Sequence, residues 1–397
     1  MKKLKTYKFR IYPTKEQKIL LSKHFGCVRW VYNYALNRKI EYYKKEKKSL
    51  SIYEISKELL YLKKQDKTLW LKEVNSQSLQ SSLLNLKNSY TKFFKEKTGF
   101  PKFKNKKSKQ SIQFPQQIKV DFNINKLYIM KFREGIKCKF DRNFEGKIKT
   151  TTIYKSSTNK YYTSILVEED VLDIIKLVPK IEESIGIDLG IKTFATLSDG
   201  MEIDNPKYLK NNLDRLKILQ RRASKKKLGS CNRKKANLKV SVLHEKIANQ
   251  RQDFLHKLST RLIRENQTIC LEDLNIKGMM KNHNLAQSIS DVSWSEFNRQ
   301  LEYKAEWHGK NILRIGRFEP SSKVCSECGY KNKELKLSDR TWICTICNKD
   351  HDRDINAAKN IKDFSFNKIG QDVPIEPVEM STLVESVKQE IIYYNMP

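Results

Sequence analysis

The chain has 397 residues, of which 79 are lysine or arginine and 45 are aspartate or glutamate, so its formal net charge at neutral pH is +34. Such an excess would repel itself in a compact fold without a polyanionic partner, and nucleic acid is the usual one. No apolar run approaches the roughly 20 residues of a membrane-spanning helix, and mean hydropathy is −0.67. We therefore expect no membrane association, a cytosolic location and about two to four structural units.

The N-terminal segment predicts a strand followed by a helical region. Residues 7–12 alternate between apolar and mostly basic side chains, and Pro13 ends the pattern. Thr14 and Gln17 then match a capping box, which marks the start of a helix. Apolar residues recur mostly at helical spacing from there to about Phe94. This region is expected to form a helical unit.

A lysine-rich segment and a strand-rich segment come next. Eight lysines and one glutamate lie within Lys92–Lys109, interleaved with phenylalanines that could stack on bases or anchor a loop. Lys102 and Lys104 are the candidate nucleic-acid contacts there. Within Ser111–Glu169 the period changes to two and β-branched residues are enriched, which predicts a small β-barrel or sheet that the N-terminal strand completes.

A second basic region predicts two long helices. Lys207–Lys239 contains 13 lysines and arginines against one acid, Asp214. Its helical pattern is interrupted at Gly229 and resumes as far as Leu262, so the helices are expected to form a hairpin. Charge of almost one sign favours a surface that follows a phosphate backbone over a merely solvated face. The candidate contacts are Arg215, Arg221, Arg222, Lys225, Lys226, Arg233 and Arg251.

Three acids lie in or next to predicted strands and helices where a bound metal ion would explain their presence. Asp188 lies inside an apolar run expected to be the first strand of an antiparallel hairpin, Glu272 closes a second apolar run, and Asp354 falls near the start of a predicted helix. A carboxylate in an apolar strand is costly to bury without a cation. Together the three can converge on two hard cations, Mg²⁺ or Mn²⁺, one activating water and the other stabilising the leaving oxygen of a phosphodiester.

Each acid also has an ordinary structural explanation. An aspartate before Leu-Gly often belongs to a turn, and a Glu-Asp pair after a strand often caps a helix. Asp273 and Asp352 are therefore alternatives to Glu272 and Asp354. We prefer Asp354 because the helix should start there and leave Asp352 in the preceding loop. The joint occurrence of the acids with the basic helices and the cysteines below favours the metal site.

The cysteine spacing predicts a structural zinc site. Two Cys-x-x-Cys pairs supply the four thiolates of a tetrahedral Zn²⁺ site. Gly329 and Asn348 follow the two pairs and suit the tight turns that such knuckles need. Disulfides are the alternative, but the N-terminus lacks the apolar segment of a secretory signal. The predicted ligands are Cys325, Cys328, Cys344 and Cys347, and the cysteines expected to be ordinary reduced thiols are Cys27, Cys138, Cys231 and Cys270.

Several motifs, in this order along the chain, resemble the TnpB (OrfB) family of insertion-sequence proteins. They are KTYKFRIYPTKEQ, GFPKFK, GIDLGIKTFATLSDG, HEKIANQRQDFLHKLST, LEDLNIKGM, and the pair CSEC and CTIC followed by DRDINAAKN. The resemblance covers about residues 4–370. It implies an RNA-guided DNA endonuclease related to type V CRISPR effectors, in which the acidic triad corresponds to Asp188, Glu272 and Asp354. The implied partners are a guide RNA from the transposon end and double-stranded DNA beside a short motif, with no small-molecule substrate.

The resemblance also implies a multidomain α+β fold in the cytoplasm of a prokaryote, at the nucleoid when the protein acts on DNA. Its nuclease domain would be RNase H-like, of the RuvC type, with an inserted zinc ribbon. The expected divisions are a wedge-like β-barrel (1–13 and 111–180), a helical recognition lobe (14–110), the RuvC-like domain (181–320 and 351–370), the zinc finger (321–350) and a disordered acidic tail (371–397).

Other functions remain open at the level of the sequence. The GIDLG string also resembles the phosphate loop of actin-like ATPases, although only 13 glycines in the chain argue against several such loops. A transposase would use the same triad and the same two metals. A regulatory or accessory nucleic-acid-binding protein without guided cleavage would use the carboxylates only as structural ligands.

Overall fold

The structure is a computed structural model that describes residues 2–170, 176–336 and 338–372. Its fold is α+β, as predicted, and it divides into two compact units. The first unit contains the described residues before 174 and the segment 222–242, and the second contains the others. No helix in the described part of the chain is long and apolar enough to cross a membrane.

Seven antiparallel strands form the sheet of the first unit. They are β1 (Lys2–Tyr12), β2 (Gln110–Phe114), β3 (Lys119–Asp121), β4 (Lys126–Ile129), β5 (Phe132–Lys139), β6 (Lys147–Lys155) and β7 (Tyr161–Asp170). Their order is β2-β6-β7-β1-β5-β4-β3, so the N-terminal strand lies inside the sheet, as predicted. Within the described residues no pairing joins β2 to β3. The strands therefore form an open sheet, and the closed barrel that the sequence also allowed is not present among them.

The predicted helical region of the first unit is confirmed. It consists of α1 (Lys15–Glu46), α2 (Ile52–Leu62), a 3₁₀ helix (Asp66–Glu73) and α3 (Ser76–Lys95). The capping box at Thr14 and Gln17 is present, with both reciprocal hydrogen bonds. Leu21 and Phe25 of α1 join the core of the sheet, and residues further along α1 pack in a separate helical core.

A five-stranded mixed sheet organises the second unit. Its strands are β8 (Ser184–Leu189), β9 (Thr193–Leu197), β10 (Glu202–Asp204), β11 (Thr268–Glu272) and β12 (Asn311–Ile315), in the order β10-β9-β8-β11-β12. Strands β8 and β9 are antiparallel, which confirms the hairpin predicted around Asp188. Strands β8 and β11 are parallel, with Ile187 opposite Leu271, so their carboxyl ends meet at one edge of the sheet.

The remaining elements include the two predicted basic helices. The helices are α4 (Tyr208–Ser224), α5 (Cys231–Glu265), α6 (Ile276–Met279), α7 (His283–Val292), α8 (Trp294–His308) and α9 (Arg353–Asp372), and the last two strands are β13 (Thr341–Ile343) and β14 (Asp350–Asp352), which pair with each other. Helix α9 packs against β8, β9, β11 and β12. It includes the first two residues of the predicted acidic tail, and the rest of that tail lies outside the described residues.

Gly186 lies where β8 and α9 approach each other very closely. A Cβ atom at Gly186 would stand 2.0 Å from the carbonyl oxygen of Ala358 and 3.0 Å from the backbone nitrogen of Lys362. Since Ala358 is itself fully buried, neither backbone has room to move. The close approach sets the position of α9 on the sheet.

Gly186→Ala is therefore expected to destabilise the protein by about 3 kcal/mol, because the added methyl group meets a backbone carbonyl in a packed core. Chemical denaturation measures the loss. Gly26→Ala is the control, since a Cβ there meets nothing within 4 Å. Equal stability of the two variants would contradict the close packing of α9.

Candidate active site and metal centre

The three predicted acids lie at one edge of the sheet in the second unit. Asp188 is the next-to-last residue of β8, Glu272 ends β11, and Asp354 is in the first turn of α9. Strand pairing sets the first two on neighbouring parallel strands, and the packing of α9 on both strands brings the third to them. Acids that are far apart in sequence are thus gathered in one place.

The electrostatics of Asp188 reflect this gathering. Burial raises the pKa of its carboxyl to about 7, with further raising by the negative charges of Glu272 and Asp354 and some lowering by the guanidinium of Arg353. A pKa this high means that the protein itself supplies too little positive charge or hydrogen bonding to stabilise the ionised carboxylate. The three carboxylates offer the oxygen ligands that hard divalent cations such as Mg²⁺ or Mn²⁺ prefer. The raised pKa of Asp188 fits a site that gains a cation.

Two arginines contact Asp354. Arg340 donates a hydrogen bond to Oδ2 at 3.0 Å, and Arg353 donates two to Oδ1, at 3.1 and 2.9 Å. The neighbouring Asp352 accepts from the backbone amides of Asp354 and Ile355 at 2.9 and 3.0 Å, so it caps α9. Asp352 is also the last residue of β14, which corrects the prediction that it lies in a loop.

Glu272 is oriented by a serine that the sequence did not reveal. Ser321 donates its hydroxyl to Oε1 of Glu272 at 2.7 Å. The alternative acid, Asp273, forms an ion pair with Arg317 at 2.8 Å, in which both side chains are about half exposed. The two neighbouring acids therefore have different surroundings, and only Glu272 acts electrostatically on Asp188.

A cavity of about 750 Å³ opens beside Asp188 and Asp354. Cationic side chains line much of it, together with leucine, isoleucine and methionine residues. The cations are Lys192, Lys207, Lys210, Arg340 and Arg353. The positive side chains suit an anionic ligand, and the neighbouring acids suit metal cations that bind together with it.

The four predicted cysteines form a compact group. Their sulfur atoms all lie within 4.8 Å of one another, with Cys328 and Cys344 3.5 Å apart and Cys325 and Cys347 3.7 Å apart. A tetrahedral zinc site with Zn–S bonds of about 2.3 Å has sulfur atoms about 3.8 Å apart, so the spacing fits Zn²⁺. Across the described ranges this is the one group of three or more cysteine, histidine or acidic side chains gathered this tightly, and the three acids are spread more widely.

The backbone around the cysteines confirms the predicted knuckles. Gly329 and Asn348 have φ angles of 75° and 55°, in the left-handed region. Their amides donate to the carbonyl oxygens of Cys325 and Cys344, both at 2.9 Å. A hydrogen bond from the backbone amide of Cys347 is the main cause that lowers the pKa of the Cys344 thiol, whereas the pKa of Cys328 and that of Cys347 are raised, so the thiols titrate as one group.

Helix α9 is bonded directly to the cysteine segment. Asn356 donates to the carbonyl oxygen of Val324 at 2.7 Å and accepts from the amide of Ser326 at 3.0 Å. Asn360 donates to the carbonyl oxygens of Ser321 and Val324, both at 2.6 Å. Both asparagines are buried, so the segment around the first cysteine pair and the helix that carries Asp354 form one packed unit.

The candidate nucleic-acid contacts differ in their surroundings. Arg215, Arg221, Arg222, Lys225, Lys226 and Lys102 are exposed and stay predictions. Lys104 is half-buried, with its ammonium 3.9 Å from the centre of the Tyr32 ring. Arg233 donates to the carbonyl oxygens of Ser224 and Lys226 and so closes the turn between α4 and α5.

Arg251 is paired within the protein. Its guanidinium donates to Asp291 at 2.8 Å, and both side chains are largely buried. The sequence had suggested it as a phosphate contact, because an isolated arginine on a basic helix gives no sign of an acid 40 residues further on. The four remaining cysteines are free; Cys27, Cys138 and Cys270 are buried and Cys231 is exposed, in keeping with the prediction.

Asp188→Asn is expected to stabilise the protein in magnesium-free buffer above pH 7. The folded pKa of about 7 lies above the unfolded value of about 3.9, so the wild-type protein loses stability as pH rises through this window, and the loss is complete above it. The gain from asparagine should be roughly 2–4 kcal/mol at pH 8 and vanish near pH 4. Denaturant unfolding at both pH values measures it.

The matched control is Asp253→Asn, because Asp253 is 63% exposed and forms only a surface ion pair with Lys257. It should show no pH-dependent gain. If Asp188→Asn and the wild-type protein are equally stable at pH 8, the carboxyl of Asp188 is neither buried nor in the field of the other two acids.

Known protein families match three parts of the chain. A family described as "Probable transposase" (OrfB, IS605) matches residues 164–283, the Cas12f1-like TNB domain matches 294–361, and a helix-turn-helix domain matches 1–48. The third description does not fit the structure, since α1 runs unbroken from Lys15 to Glu46 after the N-terminal strand.

Whole-chain comparisons agree with the partial ones. The solved Cas12f1–sgRNA–target DNA complex shares the fold, with a TM-score of 0.54 at 17% identity over 91% of this chain and 99% of that chain. A "Putative RNA-guided DNA endonuclease" of Streptomyces pristinaespiralis is 39% identical over 97% of this chain and 96% of its own length. Another from Escherichia coli K12, InsQ, is 31% identical over 91% and 92%.

The fold is thus of the Cas12f type, an α+β architecture with a cysteine site next to α9. Similarity to its sequence relatives extends over nearly the whole length of both chains. The chain belongs to the TnpB (OrfB) family, as the motifs predicted.

Proposed function

We propose that the protein is an RNA-guided DNA endonuclease that hydrolyses phosphodiester bonds with two divalent cations. The observation that carries the proposal is the convergence of Asp188, Glu272 and Asp354, with the pKa of Asp188 raised to about 7. The family supplies the guidance by RNA, because two relatives that match over most of their length are named for that activity. The charge of +34 fits two nucleic-acid partners.

The three acids would hold Mg²⁺ or Mn²⁺. Ions bound there would lower the pKa of an attacking water and offset charge on the leaving oxygen. Ser321 keeps the carboxylate of Glu272 turned toward the site, and the cap from Asp352 holds the first turn of α9 in place. The guanidinium groups of Arg340 and Arg353 lie at the carboxylate of Asp354, where they can bind a phosphate oxygen of the substrate.

The four cysteines would hold a structural Zn²⁺. No open ligand position is needed for this role, because four thiolates complete a tetrahedron. The hydrogen bonds from Asn356 and Asn360 connect the zinc knuckle to the helix that carries Asp354, so the bound zinc would hold that helix in place.

The predicted domain roles follow from the same proposal. The second unit, with its mixed sheet and α9, would be the RuvC-like nuclease domain with its zinc ribbon. The sheet of the first unit would be the wedge-like domain and its helices the recognition lobe. The proposed partners are the guide RNA and a double-stranded DNA target beside a short motif, in the cytoplasm of a prokaryote.

The test is to purify the chain from its host and sequence the RNA that accompanies it. We expect one defined RNA with a constant part and a variable end. Replacing the variable end should redirect magnesium-dependent cleavage to a matching DNA duplex. Absence of RNA, or cleavage that ignores the change of guide, would overturn the proposal. Joining of transposon ends without a guide would instead identify a transposase.

A further inference from the structure

We propose that Asp291 is a positioning residue, which holds the first turn of α4 so that Lys207 and Lys210 bind a backbone phosphate of the DNA strand being cut. The proposal rests on the proposed nuclease function and assigns part of its substrate contact. It concerns the wall of the cavity beside the acids, away from the metal ligands themselves.

Asp291 connects three helices of the second unit. It lies near the end of α7 with 8% of its side chain exposed. Its carboxylate accepts from the backbone amides of Leu209, at 3.0 Å, and Lys210, at 3.2 Å, and from the guanidinium of Arg251 at 2.8 Å. A residue distant in sequence therefore caps the N-terminal end of α4, and the same carboxylate is neutralised by α5.

The turn that leads into α4 is fixed from a second side. Lys207 has a φ angle of 46°, in the left-handed region that lysine rarely adopts. Its amide donates to Oδ1 of Asn205 at 3.0 Å, and Nδ2 of Asn205 donates to the carbonyl oxygen of Ile191 at 2.7 Å. A strained backbone persists only where its surroundings determine it, and such positions concentrate at functional sites.

Both lysines line the cavity that contains Asp188 and Asp354. Among the residues that the structure describes, no carboxylate forms an ion pair with either ammonium group. Lys210 is exposed and Lys207 is half-buried. Two ammonium groups without a counterion, on the wall of a cavity that Asp188 and Asp354 also line, are suited to a phosphate.

The lysine side chains are flexible, so the backbone must bring them to the cavity. With asparagine in place of Asp291, the amides of Leu209 and Lys210 keep only one neutral amide oxygen as an acceptor, and the buried guanidinium of Arg251 loses its counterion. The first turn of α4 would then fray, and both lysines would lose their fixed position. Asp291 acts on the substrate only through them.

Cleavage of guided DNA under single-turnover conditions tests the proposal. Lys207→Gln and Lys210→Gln should each slow cutting about ten-fold, the effect of one lost charged hydrogen bond, and Asp291→Asn, which displaces both lysines, should slow it at least as much. Combining Asp291→Asn with Lys210→Gln should add little, because Asp291→Asn already displaces Lys210. Guide RNA binding should be unchanged. Asp253→Asn, an exposed acid on α5 with one surface partner, should cut like the wild-type protein.

A binding measurement separates this proposal from the proposed function. In the Asp188→Ala background, a single-stranded DNA oligonucleotide is titrated at several salt concentrations. Each lysine variant should flatten the dependence of log Kd on log salt by about 0.7, the value for one phosphate contact, and Asp291→Asn, which displaces both lysines, should flatten it at least as much. Hydrogen exchange of the Leu209 and Lys210 amides should be faster in Asp291→Asn only.

The outcomes differ for the two proposals. Asp291→Asn that cuts and binds like Asp253→Asn overturns the positioning role, and so do lysine variants that behave like the wild-type protein. A wild-type chain that shows the expected salt dependence but never cuts contradicts only the proposed nuclease function. If thermal unfolding shows that Asp291→Asn does not fold, the cutting rates and salt dependence of the two lysine variants decide whether the lysines contact the phosphate.

Discussion

Asp188→Ala is expected to abolish cutting while leaving nucleic-acid binding nearly intact. The rate should fall about a thousand-fold or more, because residues that act as one catalytic unit lose most of its effect when any member is removed. Glu272→Ala and Asp354→Ala should behave alike, since the three carboxylates lie in one electrostatic field. Binding should persist because the large positive charge is untouched. Guided cleavage and a parallel binding assay measure the two properties.

Asp273→Asn is the matched control for the triad. Asp273 follows Glu272 directly, but its carboxylate pairs with Arg317 in a half-exposed ion pair. It should therefore retain cutting within a few-fold. Retained cutting by Asp188→Ala would show that the active site is misplaced. Loss of cutting in Asp273→Asn, with Glu272→Ala unaffected, would move the second metal ligand by one residue.

Cys344→Ser is expected to lose its zinc and, with it, at least about a hundred-fold of cleavage rate. A structural zinc site contributes folding free energy directly, so its loss unfolds the segment that it closes. That segment is hydrogen-bonded to α9 through Asn356 and Asn360, and α9 carries Asp354. Metal analysis and guided cleavage measure the two effects together.

Two further variants separate zinc binding from the positioning of Asp354. Cys231→Ser, at an exposed free cysteine, should keep both zinc and activity. Asn360→Ala should keep the zinc but slow cutting, since it breaks two of the hydrogen bonds between the cysteine segment and α9. If Cys344→Ser keeps its zinc and full activity, the cysteine segment does not hold the helix of Asp354.

Local patterns carried most of what could be predicted. The capping box at Thr14, the left-handed turns at Gly329 and Asn348, and the strand around Asp188 each depend on a few neighbouring residues. Backbone conformation and hydrogen bonds between close neighbours depend on the residues themselves, so the spacing of residues in the sequence was enough to predict these features. The four candidate zinc ligands belong to the same group, because each knuckle is a local turn.

The partners of charged side chains could not be predicted in this way. Arg251 and Lys104 stand in basic segments that suggested phosphate contacts, yet one pairs with Asp291 and the other lies over the ring of Tyr32. Ser321 and Arg340, which contact the triad, carry no signal in the sequence. Such contacts join residues that are tens of positions apart, and the packing of whole elements decides them.

By itself the sequence determined the main helical and strand regions, the four cysteines that form the compact group, the three candidate acids and the family. Only the tertiary structure decided that the first sheet is open, that β8 and β11 are parallel neighbours, and that α9 approaches Gly186 closely enough to bring Asp354 to the other acids. The reason is physical: a strand or a cap forms from local interactions, whereas a site that joins positions 188, 272 and 354 depends on register and on close packing between distant segments.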